Sequence, residues 1–273
     1  MLKKSERIDV LLVQRGLAPS RERAKQLIMA GNVFVNDQLV DKPGNLVSID
    51  STIVLKNTDP CPYVSRGGLK LKKAIDTFNI NVKGKIAIDV GASTGGFTDC
   101  LLQNGVDFVY AIDVGYGQID WKIRNDKRVE VIERTNIRYV KPDQFQKPIS
   151  LVVIDVSFIS LDKVIPVVNS IIQPEGDIIA LIKPQFEAGR EFVRKGIVKD
   201  PNIHRLVIKK ICDLAVKESL NIKGLTFSPI KGSSGNIEFL IWLKKSYNDQ
   251  YLNDIDVLID NVINESKTFW SEK

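Results

Sequence analysis

Two lysines and two acids stand where a chain that folds into an open α/β sheet would bring them to one edge. Leu151-Val152-Val153-Ile154 reads as a buried strand that delivers Asp155 to its carboxyl end, where such sheets bind their ligands. Asp177 to Ile182 reads as a second strand that delivers Lys183 in the same way, followed by Pro184-Gln185-Phe186-Glu187. A lysine directly after Ile178-Ile179-Ala180-Leu181-Ile182 is an odd choice if it only decorates a surface. In Ser228-Pro229-Ile230-Lys231-Gly232-Ser233-Ser234-Gly235-Asn236-Ile237-Glu238, an acid follows a glycine-rich turn into a last strand, Phe239 to Leu243. Lys70, in Ser65-Arg66-Gly67-Gly68-Leu69-Lys70, lies just upstream of the sheet. Amines beside carboxylates can move protons. Strand-end acids also cap loops and lysines also flank strands, so each residue alone has a structural reading beside the catalytic one.

A second constellation could hold a ligand. From Lys85 onward strands alternate with helices, the pattern of a parallel sheet. Ile86-Ala87-Ile88-Asp89-Val90 runs into Gly91-Ala92-Ser93-Thr94-Gly95-Gly96-Phe97, with a helix expected from Thr98 to Asn104. Glycines at such a turn let the backbone approach a ligand closely, and the helix N-terminus favours a carboxylate or phosphate. The next strand, Phe108 to Ile112, ends on Asp113, an acid placed to accept the hydroxyls of an adenosine ribose. A third strand, Glu130 to Ile132, precedes Asn136. The spacing Gly91-x-x-x-Gly95-Gly96, preceded by Asp89, departs from the G-x-G-x-x-G of nicotinamide dehydrogenases.

The D-x-G-x-x-x-G-G form is similar to the S-adenosylmethionine loop of class I methyltransferases. That resemblance places Asp89 near the methionine amino group and Asp113 on the ribose. Gly91, Ala92, Ser93, Gly95, Gly96 and Phe97 then surround the cofactor, with Asn136 against the adenine. Taken together, Lys70, Asp155, Lys183 and Glu238 resemble the Lys-Asp-Lys-Glu tetrad of FtsJ-like 2′-O-methyltransferases, and DVSFISL, KPQFEAGR and SPIKGSSGNIE resemble TlyA. The resemblance implies methyl transfer to a ribose hydroxyl of ribosomal RNA, with cytidines of both subunit RNAs as family targets. It makes Lys183 the general base, which needs a neutral amine at least transiently. Asp155 orients that amine and Glu238 holds Lys70. No metal takes part. Other methylations fit less well. The place where amino-methylating enzymes carry Asn/Asp-Pro-Pro-aromatic reads Asp155-Val156-Ser157-Phe158. The cysteine that cytosine-C5 chemistry requires is missing there, since Cys61 lies in Pro60-Cys61-Pro62. The lone His204, after Asp200-Pro201 at a helix start, suits a surface or capping role better than catalysis.

These residues need elements to position them. Residues 6–15 read as a short helix closed by Gly16, and Ser20 as the N-cap of a second that ends near Ala30 and Gly31. On the second, Ala24, Leu27 and Ile28 share a face, with Arg21, Arg23 and Lys25 turned to solvent. Short strands follow at Val33-Phe34-Val35 and from Val47 through Lys56, around a turn at Asn36-Asp37. The run PSRERAKQLIMAGNVFVNDQLV resembles the RNA-binding module shared by a ribosomal small-subunit protein, pseudouridine synthases and TlyA-type proteins. The resemblance implies RNA contacts from Arg7, Ser20, Arg21, Arg23, Lys25 and Arg66, dominated by shape and phosphates. Residues 57–65 hold two prolines and form a linker.

The expected fold is therefore α/β: a class I, Rossmann-like methyltransferase sheet with a small N-terminal α+β RNA-binding domain. Its parts would be an RNA-binding domain at 1–59, a linker at 60–69, a methyltransferase domain at 70–245 and an amphipathic C-terminal helix at 246–273. In that last segment Leu252, Ile255, Leu258, Ile259 and Val262 recur at helical spacing, which favours packing on the body over an oligomer contact.

Charge supports this division. Residues 1–75 hold 13 Lys/Arg against 7 Asp/Glu, whereas the rest holds 26 of each, so the net +6 gathers at one end. Three scattered cysteines, Cys61, Cys100 and Cys212, suit a reduced cytosol, and no run approaches the length of a membrane span. Membrane lysis would need an apolar span or a strongly basic amphipathic helix, and neither is apparent. A non-catalytic RNA-binding protein on a relic cofactor fold is the better rival, and the intact tetrad argues against it.

Overall fold

A computed structural model describes residues 5–29, 31–55, 61–232, 235–246 and 254–271. The chain divides into two compact units, residues 1–68 and 69–273.

The first unit runs β1 (Ser5–Arg7), α1 (Ile8–Gln14), α2 (Arg21–Met29), β2 (Val33–Val35), β3 (Gln38–Leu39), β4 (Leu46–Ser48) and β5 (Ile53–Leu55). Ile8 and Leu12 of α1 pack with Ala24, Leu27 and Ile28 of α2 over Val33 and Val35. Ser20 caps α2, its Oγ accepting from the Arg23 amide at 3.1 Å. Gly31 follows that helix at φ +70°, a conformation glycine adopts without strain. A Cβ there would stand 2.6 Å from Arg66 Nη1, so the Arg66 guanidinium lies over this glycine.

Two expectations need correction. The first helix begins at Ile8, because residues 5–7 pair with 46–48 as an antiparallel ribbon and the Ile8 amide is taken by Asn45 O. The run expected as one strand from Val47 is broken into β4 and β5. There the Arg15 guanidinium gathers the carbonyls of Ile49 and Ser51 into a turn, and the Asn36 side chain accepts from the Thr52 amide. Lys56, the last residue of that run, and 57–60 of the expected linker lie outside the described residues.

Asp9 is wholly buried and gathers two of the arginines that the sequence assigns to RNA: Arg7 Nε at 2.9 Å and Arg21 Nη2 at 2.8 Å. Each arginine keeps about half of its side chain exposed, at 45% and 51%. Arg23 and Lys25 are half-buried rather than fully in solvent. The hydrogen bond from Arg7 does most to hold the Asp9 carboxyl far below the usual carboxylate range; burial opposes it and Arg21 adds to it. A depressed folded pKa stabilises the fold at pH values above the unfolded carboxylate's value, near 3.9. That contribution is lost as pH falls toward the folded value. The melting-temperature gap between wild type and Asp9→Asn, followed by circular dichroism, is therefore expected to hold steady near neutrality and to shrink below about pH 4. A gap that does not change with acid would show that Asp9 acts here without its charge.

α3 (Gly67–Phe78) leads into the second unit, which continues through β6 (Ile86–Val90), α4 (Gly96–Gln103), β7 (Phe108–Ile112), α5 (Trp121–Arg124), β8 (Val129–Ile132) and β9 (Leu151–Ile154). Then follow α6 (Ile165–Ile171), β10 (Asp177–Ile182), α7 (Pro184–Glu187), α8 (Pro201–Lys217), β11 (Asn221–Phe227), β12 (Phe239–Lys244) and α9 (Ile255–Ser271). The described strands form a seven-stranded sheet in the order β11-β12-β10-β9-β6-β7-β8. From β10 to β8 every pair is parallel, while β12 runs antiparallel to both of its neighbours. The sheet is thus mixed α/β, mostly but not wholly parallel. Strand order reverses between β6 and β9, and the carboxyl ends of those two strands open the crevice where such sheets bind ligands.

The sequence reading did not anticipate β11. Gly224 interrupts its pattern at a register shift, and that glycine is needed because a Cβ would meet the Phe78 ring at 2.7 Å. In α9, Ile259, Val262 and Ile263 are buried against α8 and β11. Arg205 of α8 donates to Asp256 and Asp260, each at 2.8 Å. Leu252 and the first residues of the expected tail helix lie outside the described residues. His204 is buried rather than surface-exposed: its Nε2 lies 2.9 Å from Val198 O and its ring stands edge-on to Phe239.

Candidate active site

Four side chains meet at the carboxyl edge of the sheet. β9 ends on Asp155 and β10 on Lys183, and β9 and β10 are neighbours. The Lys183 ammonium lies 2.6 Å from Asp155 Oδ1 and donates to Ser157 Oγ at 2.9 Å. Lys70, on the first turn of α3, donates to Glu238 Oε2 at 2.6 Å and stands 4.0 Å from Asp155 Oδ2. Glu238 precedes β12, whose antiparallel pairing with β10 brings Phe239 opposite Ile182. Lys70, Lys183 and Glu238 are buried. Two cations and two anions balance, which is what allows four charges to share so little water. Burial alone would discourage ionisation of Asp155, but Lys70 and Lys183 outweigh it and keep that carboxyl below its usual range.

Beside this cluster a cavity of about 490 Å³ opens between the ends of β6, β7 and β9, lined by Gly91, Ser93, Asp113, Asn136, Asp155 and Ser157 among others. Gly91 stands at φ +85°, and a Cβ there would lie 2.5 Å from Asp155 O. Glycine is thus required both for the turn and for the approach of two strand ends. Asp113 ties the loop together, accepting from the amides of Ser93 at 2.8 Å and Gly115 at 2.6 Å. Asn136 lines the cavity wall and caps a short turn through the Arg138 amide at 3.1 Å.

Five of the residues expected around a cofactor are not among those that line the cavity: Asp89, Ala92, Gly95, Gly96 and Phe97. Phe97 faces the core, and Gly95, at φ +95°, opens α4. Asp89 is fully buried, with Oδ2 accepting the Thr98 hydroxyl at 2.6 Å and Oδ1 without a hydrogen-bond partner among the described residues. Burial is the largest cause of its pKa being raised to about 7; Asp155 and Asp113 add to the rise and Thr98 opposes it. The cavity's volume, its acidic wall and the unmatched acceptor of Asp89 fit a ligand with a ribose diol and an ammonium group, the two ends of S-adenosylmethionine.

Several residues of the site were not read from the sequence. Ser157 bonds Lys183 directly, and Gln185 donates to Glu238 Oε1 at 3.3 Å. Glu187, buried on α7, accepts from the Leu161 amide at 2.7 Å and the Ser160 hydroxyl at 2.5 Å. It thereby fastens the segment after Asp155 to the segment after Lys183. Phe158 is 91% exposed at φ +63°, with its ring 4.9 Å from Phe186. Cys100 and Cys212 are buried, and burial pushes the Cys212 thiol up to about 12, which suits packing and not reactivity.

Comparison with known proteins gives two domain matches: an FtsJ-like methyltransferase over residues 63–245 and an S4 domain over residues 6–53. A Bacillus subtilis protein with the provisional name rRNA methyltransferase YqxC is 50% identical, over 100% of this chain and 98% of its own. The 16S/23S rRNA (cytidine-2′-O)-methyltransferase TlyA of Mycobacterium tuberculosis is 42% identical, over 87% of this chain and 89% of its own. A solved structure from Streptococcus thermophilus, provisionally named a hemolysin, superposes with a TM-score of 0.79 at 45% identity, covering 99% of this chain and 98% of that one. Among the described residues no helix is long and apolar enough to cross a membrane.

Proposed function

The chain belongs to the TlyA family of FtsJ-like methyltransferases, and on that premise we propose that it methylates a ribose 2′-hydroxyl of ribosomal RNA, a cytidine's, in the cytoplasm where ribosomes are found. S-Adenosylmethionine supplies a methyl group already activated on a sulfonium. The observation that carries this reading is the Lys70–Asp155–Lys183–Glu238 cluster standing at the rim of the cavity that fits the cofactor.

A ribose hydroxyl is a weak nucleophile until its proton is removed. Lys183, as neutral amine, takes that proton, and Asp155 stabilises the ammonium that results. Ser157 holds the amine on a second side. Lys70 divides the charge of Asp155 and is itself anchored by Glu238, so the lysine pair stays fixed relative to the strand ends. Alignment of the hydroxyl with the methyl group contributes alongside proton transfer, since proximity and orientation can supply roughly 7–11 kcal/mol. The first unit, with its S4 match and its arginines anchored on Asp9, binds the RNA.

The direct test is transfer of labelled methyl from S-adenosylmethionine to purified ribosomal subunits, with alkaline hydrolysis of the product. Label in RNA that resists cleavage at one nucleotide is the expected result. Label on a base, leaving the backbone fully cleavable, would overturn ribose methylation. Cofactor binding with no label on either subunit would overturn ribosomal RNA as the substrate.

A further inference from the structure

The segment that leaves Lys183 does not return directly to the sheet. After α7 it forms a tight hairpin in which Arg194 and Ile197 exchange backbone hydrogen bonds of 3.0 Å each, with Lys195 at φ +50° and Gly196 at φ +78° making the turn. The hairpin is held at the carboxyl edge of the sheet by Asn236, which is buried. Its Oδ1 accepts from the Val198 amide at 3.0 Å, and its Nδ2 donates to Gly196 O at 2.8 Å. Asn236 lies two residues before Glu238, so one side chain ties the hairpin to the loop that anchors Lys70.

The surface carried by this hairpin is cationic. Arg190, Arg194, Lys195 and Lys199 are all exposed, and none forms an ion pair among the described residues. Arg194, Lys195 and Lys199 line a concavity of about 570 Å³ whose floor includes Phe192, Ile197 and Ile203. Two acids share its wall. Asp200 is engaged in capping α8 through the Asn202 amide at 2.8 Å, and the Glu191 carboxylate folds back over Gly189. With Arg190, the cations outnumber these two acids, so the surface stays net positive, and a polyanion bound there gains from release of its counterions.

The geometry points to this hairpin as a phosphate-contacting arm of the methyltransferase unit, in which Arg194, Lys195 and Lys199 grip the RNA backbone beside the ribose presented to Lys183. This rests on ribosomal RNA being the substrate. Contacts to phosphates position a nucleic acid without reading its bases, which is what an enzyme needs when it must bring one hydroxyl to a buried amine. The arm would thus set RNA affinity and register while leaving the cofactor cavity untouched.

Equilibrium binding of the full chain to a fluorescent ribosomal RNA fragment, measured across a salt series, tests this without relying on turnover. The triple variant Arg194→Gln, Lys195→Gln, Lys199→Gln is expected to bind RNA on the order of a hundredfold more weakly near 0.1 M salt. The slope of log affinity against log salt should become shallower by roughly two, as for the loss of about three phosphate contacts. The charge-preserving variant Arg194→Lys, Lys195→Arg, Lys199→Arg should keep the wild-type slope, and S-adenosylmethionine should bind all three proteins alike. A wild-type slope in the glutamine variant would overturn the assignment, and so would an equal loss in the charge-preserving variant. If the wild type methylates no ribosomal RNA while the glutamine variant still loses salt slope on RNA, the catalytic reading falls and the arm stands.

Discussion

Replacing Lys183 with alanine is expected to slow methyl transfer to RNA by about 10²–10⁴-fold, the usual contribution of a positioned general base, while cofactor affinity stays near wild type. The selectivity follows from position. Lys183 is bonded to Asp155 and Ser157 at the end of β10 and does not line the cofactor cavity, so its loss removes proton transfer without changing the cavity wall. Among the described residues, truncation leaves Asp155 with Lys70 alone, at 4.0 Å, to balance a carboxylate that is mostly buried. Lys183→Arg should not restore the rate, because a guanidinium keeps its charge and cannot serve as a neutral base. Titrating labelled cofactor by equilibrium dialysis and measuring single-turnover transfer would separate the two effects. Near-wild-type transfer by the alanine variant would remove Lys183 from the chemistry. A parallel loss of cofactor affinity would instead make it part of the binding wall.

Asp155 and Lys183 were legible in the sequence for a simple reason. Strands buried on both faces are uniformly apolar, so a charged residue that ends such a run stands out, and sheet topology sends that end to the ligand edge. The glycine turn was legible because Gly91 and Gly95 adopt backbone conformations that favour glycine. Residues whose roles depend on where a loop folds were not legible. Glu187 and Asn236 look like ordinary polar residues until the chain brings Leu161 to one and the 196–198 hairpin to the other. Ser157 reads as loop filler, and only the pairing of β9 with β10 sets it beside Lys183. Ala92, Gly96 and Phe97 belong to the glycine motif but not to the residues that line the cavity. β11 escaped notice because its bulge and Gly224 break the alternation that marks a strand.

Asp89→Asn is expected to stabilise the cofactor-free protein and to weaken cofactor binding about tenfold or more, the loss of one charged hydrogen bond. Asp89 is wholly buried, and its carboxyl titrates at about 7 instead of the ordinary 3.8. Its raised folded pKa makes the folded state hold a proton that the unfolded chain has already released, so stability declines as pH rises from about 4 to about 7 and levels off above that. At 1.36 kcal/mol per unit the full penalty is on the order of 4 kcal/mol. Asparagine removes the charge and can still accept the Thr98 hydroxyl, but its amide hydrogens then occupy the place of the unmatched Oδ1, which costs about 1–3 kcal/mol. A net gain of roughly 1–3 kcal/mol above neutral pH remains, and it should disappear on acidification toward pH 4. Binding follows the opposite sign. An ammonium donor on the cofactor favours the ionised carboxylate, so wild-type affinity should fall as pH drops below about 7 and the asparagine variant's should not. Thermal melts and cofactor titrations at pH 5, 6, 7 and 8 on both proteins decide the matter. If stability changes as expected while the two affinities stay parallel across pH, Asp89 serves only to hold Thr98 and the start of α4. If affinity separates from stability in the manner described, the carboxylate is kept buried and costly to ionise because the cofactor's ammonium is the charge meant to meet it.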